Sequence, residues 1–307
     1  MRYSIVFTAL AATSVSGHGL IRTIEGANGV SMPGLTVTDG TPRNCVVNSC
    51  GAQADTGIIR DADIASGKVG PMGMTQGSGK VDVAAHIANF MGSGNALPAN
   101  KGAQSATGVE DDLSGLFGGA KDRREEHKRQ MNDLFSGLGT LPVVGIIGTG
   151  GEHKTWPVET INGDMRGQGA QKGLPTCDEN GVVSLVYWQV NQDGAGPMTA
   201  AIDCTSGGTD AKAFQSAKVL KDVAGSGITG LSFATNTEYP MQVQMPEGMT
   251  CDGEVAGVKN VCIVRVRNQA IAGPFGGGAA FTQSKESRKR AIAWRLKKRM
   301  QIGGRWE

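Results

Sequence analysis

His18 ends the run "ALAATSVSG" of small and apolar residues, and its chemistry depends on where the chain is cut. With a cut between Gly17 and His18, one residue presents two nitrogen groups, the α-amine and the imidazole. Residues 1–17 have the parts of an export leader: a basic Arg2, the apolar stretch "IVFTALAA" that is too short to span a bilayer, and small Val15 and Gly17 at the minus-three and minus-one positions. The expected mature chain starts at His18. The other histidines are His86 in "AAHIANF", His127 in a charged run and His153 in "GTGGEHKTW". His127 suits a solvated helix face, His86 a core edge and His153 a loop.

Cysteine is the second reactive residue type. Cys45, Cys50, Cys177, Cys204, Cys251 and Cys262 form an even set behind a secretory leader, which predicts disulfides without fixing their connectivity, and no free thiol. None forms a CxxC pair, so zinc or redox chemistry is not indicated. Carboxylates crowd "GVEDDLSG" and "RDADIASG", but no spacing singles out an acid and a nucleophile. Asp193 in "NQDGAG" reads as a turn residue. The sequence has no GxSxG elbow, HExxH helix, P-loop or strand-to-helix GxGxxG, so hydrolase, metalloprotease and nucleotide-binding readings lack their parts.

The elements that must position these residues read as mainly β. "VVSLVYWQV" and "MTAAID" are rich in strand formers and flank "NQDGAG", which predicts a hairpin. "YPMQVQMP" and "NVCIVRVRNQ" alternate apolar and polar residues with the period of half-buried strands, and Cys251 and Cys262 flank a hairpin-like "DGEVAGVKNV". "VDVAAHIANFMG" reads as a short helix. Several short strands separated by turn signals predict an immunoglobulin-like β-sandwich over residues 18–283 with long loops, as 47 glycines would allow. A biased segment at about 113–155, containing "KDRREEHKRQMNDLFSGLG", suggests a helical or low-complexity insert.

The last 24 residues, 284–307, hold nine Lys or Arg against Glu286 and Glu307, whereas the remaining 21 basic and 26 acidic residues give a net charge of −5. This basic tail carries Ile292, Leu296 and Met300 at the spacing of an amphipathic helix, and Lys289-Arg290 is a possible dibasic processing site. Either the apolar stripe packs on the sandwich, or the helix is a loosely held appendage. No base-reading module accompanies the charge, so nucleic acid is not an expected partner. No apolar stretch reaches membrane-spanning length.

"HGLIRTIEGANGVSMPGLTVTDGTPRNC", "QVNQDGAGPMTAAID", "SFATNTEYPMQVQMPEGMTC" and "VCIVRVRNQAIAGPFGG" together resemble the Egh-type, or Mas-like, family of secreted fungal virulence factors associated with appressoria. The resemblance extends to the basic "RKRAIAWRLKKR". It implies an extracellular or cell-surface protein acting at the host interface or cell wall, with cell-wall polysaccharide or host surface components as partners.

A more distant similarity, to lytic polysaccharide monooxygenases, lies in the leader, the His-Gly start and the β-rich body. It implies an alternative, a copper-dependent oxidative enzyme in which the amine and ring of His18 and a second histidine hold the metal. Relatives often carry that histidine directly before "QVNQDGAGP", where this chain has Trp188, whose indole nitrogen only donates. His86 and His153 are the remaining candidates for a second copper ligand.

Overall fold

The computed structural model describes residues 18–102, 150–225, 232, 234–270 and 273–303. The described residues open with β1 (Gly19–Glu25) and a short antiparallel return, β2 (Ser31–Pro33), which sets Ile24 opposite Met32. A long loop leads to β3 (Gly57–Ile58), α1 (Asp61–Ala65), β4 (Met74–Thr75) and β5 (Gly79–Lys80). The predicted short helix is α2 (Val83–Met91). The Asp82 side chain accepts from the Ala85 N–H at its start, Gly92 in the left-handed region ends it, and Val83, Ile87 and Phe90 form its buried stripe. The expected insert falls largely on residues outside those described. Beyond it come β6 (Glu152–His153), α3 (Ile161–Asp164) and α4 (Gln168–Lys172).

The C-terminal half supplies the long strands: β7 (Val182–Gln189), β8 (Thr199–Asp203), β9 (Gln215–Lys221), β10 (Thr237–Gln244), β11 (Gly253–Val255), β12 (Val258–Arg267) and β13 (Phe275–Phe281). Helix α5 (Lys285–Gly303) follows. The strands form one antiparallel sheet in the order β2-β1-β7-β10-β9-β8-β12-β13-β3-β4-β5, with β6 on β10 and β11 on β12. It curls until β1 packs against β13 without hydrogen-bonding to it. The fold is therefore mainly β with two facing leaves, as expected, but β9 joins the leaves into a continuous sheet.

The alternating patterns of β10 and β12 are as predicted. Met241 and Val243 are buried between exposed or half-buried Gln242 and Gln244, and Val264 and Val266 are buried beside half-buried Arg265 and Arg267. The hairpin within the Cys251–Cys262 segment is also present. Ala256 and Gly257 link β11 to β12 at φ 51° and 78°, the left-handed pair of a two-residue turn whose twist matches the strands.

The hairpin predicted from β7 to β8 is not formed; β10 and β9 lie between those strands. The intervening loop is held elsewhere. The Met198 N–H donates to the Asp222 carboxylate, the Gly194 carbonyl accepts from the Tyr187 hydroxyl, and a Cβ on Gly196 would meet the Val223 carbonyl. "NQDGAGP" is thus a bridge to the other leaf.

The close approach of the leaves depends on β13, "FGGGAAF", in which every residue is buried. A Cβ on Gly277 would lie 3.0 Å from the Ile21 backbone nitrogen and 3.3 Å from Thr36 Oγ1. Larger side chains on this face would push β1 away.

Helix α5 also differs from one expectation. Ser287 and Ala291 form its buried side and Trp294 packs near Gly248, whereas Ile292, Leu296 and Met300 are exposed. The apolar stripe faces outward and does not anchor the helix to the sheet.

These contacts predict that Gly277→Val lowers unfolding stability by about 1–3 kcal/mol through overpacking. Gly70→Ala, at an exposed position where a Cβ meets nothing within 4 Å, should stay within about 0.5 kcal/mol of the parent. Urea unfolding of both variants checks the contrast.

Candidate functional site

His18 lies buried where β1 begins. Its backbone N–H donates to Asn191 Oδ1 at 2.5 Å, and its carbonyl accepts from the Val190 N–H at 2.8 Å, extending the β1–β7 ladder by one residue. Its ring stacks at a tilt on Phe275, with centroids 4.4 Å apart. Phe275 is the first residue of β13, so the imidazole closes the gap between the leaves at this end.

The surroundings are built from neutral amides. Asn191 Nδ2 donates to the Val46 carbonyl and Gln53 Oε1. Gln189 Nε2 donates to the carbonyls of Asn191 and Ala234. Asn268 Oδ1 accepts from the Ala270 and Phe275 N–H groups, which fixes the loop that presents Phe275. These partners hold the strand end and its neighbouring loops in register.

The register locates position 188. Because His18 pairs with Val190 and Leu20 with Trp188, position 188 lies diagonal to His18 across the β1–β7 ladder, about 7–8 Å away along the backbone. Trp188 packs with Leu20, Val37, Ala52, Ile161 and Val190 and meets Trp156 at 4.9 Å.

The other two histidines stand apart from this end. His153, on β6, is exposed and lies three strands from Gly19 across β10 and β7, about 14 Å at ordinary strand spacing. His86 shares a tight crevice on α2 with Met32, Asn89 and Phe90. Met32 pairs with Ile24, five residues along β1 from Gly19 and so about 17 Å away. Burial pushes the His86 pKa down to about 4 against the opposing pull of Asp82. The structure does not bring either histidine to His18, and the donor set around His18 does not fit a two-histidine copper centre. His127 lies outside the described residues.

A charged network lies on the side of β1 and β7 that Trp188 and Trp156 occupy. Fully buried Arg43 bonds Asp55 through both terminal nitrogens and Glu159 through Nε at 3.2 Å. Arg22 on β1 joins Glu159 to Glu238, which also pairs with Lys154, and its guanidinium lies 4.4 Å from the centre of the Trp156 ring. Burial raises the Glu159 carboxyl, but Arg43 and Arg22 outweigh it and hold the group below the ordinary range. Burial likewise opposes the charge of Arg43, while Asp55 and Glu159 keep it protonated. This cluster was not legible as a site, since its members come from distant segments and form no motif.

The cysteines divide into three groups. Cys45 and Cys50 close a small loop whose Val46 carbonyl accepts from Asn191. Cys262 on β12 lies within bridging reach of both Cys204 and Cys251, with Cα separations of 4.0 and 5.3 Å, and the latter two sulfurs are 3.9 Å apart. A sulfur makes one bridge, so this trio supplies one disulfide and one thiol. Cys177 is a buried free thiol, which burial pushes up, in place of the fully paired set expected from the count. Lys289 and Arg290, the possible dibasic site, lie within helix α5, where Arg290 donates to the Glu179 carbonyl and to Asn180 Oδ1.

Comparison with known proteins gives the site its context. A family model described as Egh16-like virulence factor matches residues 16–276. Appressoria-specific virulence factor GAS2 of Pyricularia oryzae is 45% identical over 303 residues, which is 97% of this chain and 95% of that protein. Appressoria-specific virulence factor GAS1 of the same fungus is 34% identical over 129 residues, covering 41% of this chain and 50% of GAS1. No solved structure matches this chain.

Two outcomes follow from the geometry. Asn191→Ala should cost about 1–3 kcal/mol by leaving the His18 N–H without its acceptor and the Val46 carbonyl and Gln53 Oε1 without this donor, and should speed amide exchange at Gly19 and Leu20. Denaturation without reductant should release two titratable thiols per chain, from Cys177 and one member of the trio. Finding none would mean that Cys177 bridges the remaining sulfur.

Proposed function

The chain belongs to the Egh16-like virulence factor family, and on that premise we propose that it is an exported fungal protein acting at the host interface or cell wall during infection. The observation that carries this reading is the 45% identity to an appressoria-specific virulence factor over 97% of the chain. The shared length takes in the β body and the basic helix together, so the relationship is not limited to one borrowed segment.

Export would proceed through removal of residues 1–17. The bond from the His18 nitrogen to Asn191 is compatible with that step, because an amide carbonyl oxygen accepts equally from a peptide N–H or from the ammonium group that cleavage would create. Among the described residues no helix is long and apolar enough to cross a membrane. In this reading the body is a rigid carrier, and its partners are cell-wall polysaccharides or host surface components met by its exposed loops and helix.

Mass spectrometry of infection fluid and gene deletion test this reading together. The secreted form should begin at His18, and the deletion strain should penetrate host tissue less often than its parent while growing normally in culture. A protein retained in the cell with residues 1–17 intact, or a deletion strain of full virulence, would refute the proposal.

A further inference from the structure

Helix α5 runs for 19 residues, about 28 Å, after the last strand. Its first half is fastened to the body. Ser287 and Ala291 are buried, Arg288 donates to the Cys251 carbonyl and pairs with Asp252, and Trp294 lies against Gly248. From Arg295 to Gln301 every residue is exposed.

At about 100° per residue, Ile292, Leu296 and Met300 form a line on the side opposite Ser287, Ala291 and Trp294. Their exposures are 44%, 53% and 71%, and they are three of the six large apolar side chains that the described surface leaves open. Lys285 and Lys289 continue the line toward the body, Arg295 and Arg299 border one side, and Lys297 borders the other. The outward face thus combines an apolar ridge with a cationic border.

We propose that this face of α5 is a docking surface for an anionic lipid bilayer, on which the helix lies flat with Ile292, Leu296 and Met300 entering between the headgroups. Charge complementarity selects the occupant. A second copy of the helix would bring like charges together, and a soluble polyanion would satisfy the bases without covering the apolar ridge. An anionic bilayer does both, with acidic headgroups for the border and an acyl boundary for the ridge. The helix is too polar to span the bilayer, so attachment is peripheral and salt-sensitive. This inference rests on α5 alone and is independent of the virulence reading.

Co-sedimentation of the full chain with large unilamellar vesicles tests it. Vesicles containing phosphatidylserine should bind at least about tenfold more protein than pure phosphatidylcholine, and high salt should abolish the difference. Leu296→Ser with Met300→Ser alters two exposed side chains and should leave the unfolding midpoint unchanged while removing most vesicle binding. Lys297→Glu with Arg299→Glu should remove it as well. Soluble polygalacturonate separates a lipid site from a general anion site, because the serine variant should bind it as the parent does. Failure of the parent to prefer anionic vesicles, or full vesicle binding by the serine variant, would overturn the proposal.

Discussion

The two leaves of the sheet can lie as close as they do only because the strand at their contact carries almost no side chains. Gly277 leaves 3.0 Å between its missing Cβ and the backbone of Ile21, and Gly278 accepts from the Leu35 N–H, so backbone meets backbone where sandwiches ordinarily interdigitate. Phe275 and Phe281 stand at the two ends of this glycine and alanine stretch as large buried plugs. His18 stacks on the first of them. The position of His18 is therefore a consequence of how thin β13 is.

The opposite face of β1 and β7 is organised by charge. An antiparallel sheet commonly leaves one face to water, but here the segments around Arg43, Asp55 and Glu159 cover it and are pinned by their ion pairs. Such buried pairs contribute little net stability, because desolvation offsets their attraction, yet removing one partner would strand the others. Their effect is to fix where the loops lie. The second small core around Trp188 and Leu20 sits beneath that cover, so β7 is apolar on both faces and reads as the run "VVSLVYWQ".

Strands with one wet face were legible in the sequence, and so was the tight hairpin. Met241 and Val243 alternate with glutamines because β10 is solvated on one side, and Ala256-Gly257 marks a two-residue link. Strand β13 gave no such signal, since glycine is depleted in strands and "GPFGGG" reads as loop. Strand order was equally hidden, because the partners of β7 are set by packing between segments far apart in the chain. At the candidate site His18 stood out by its place after the leader-like run. Asn191 and Phe275 did not, because a carboxamide and a phenyl ring form no recognisable spacing. The stripe of α5 was visible as a periodicity, but period alone does not say which side of a helix meets the body.

The placement of β1 has a kinetic meaning. It is the first of the described strands to be made, yet it sits between β2 and β7, and the contact that seats His18 spans 173 residues. Until β7 leaves the ribosome, the apolar Leu20, Ile21 and Ile24 have only the three residues of β2 to pair with. Such long-range closure gives a high contact order and slow assembly. Strand β1 therefore reaches its place between β2 and β7 only after the chain has been made as far as Gln189.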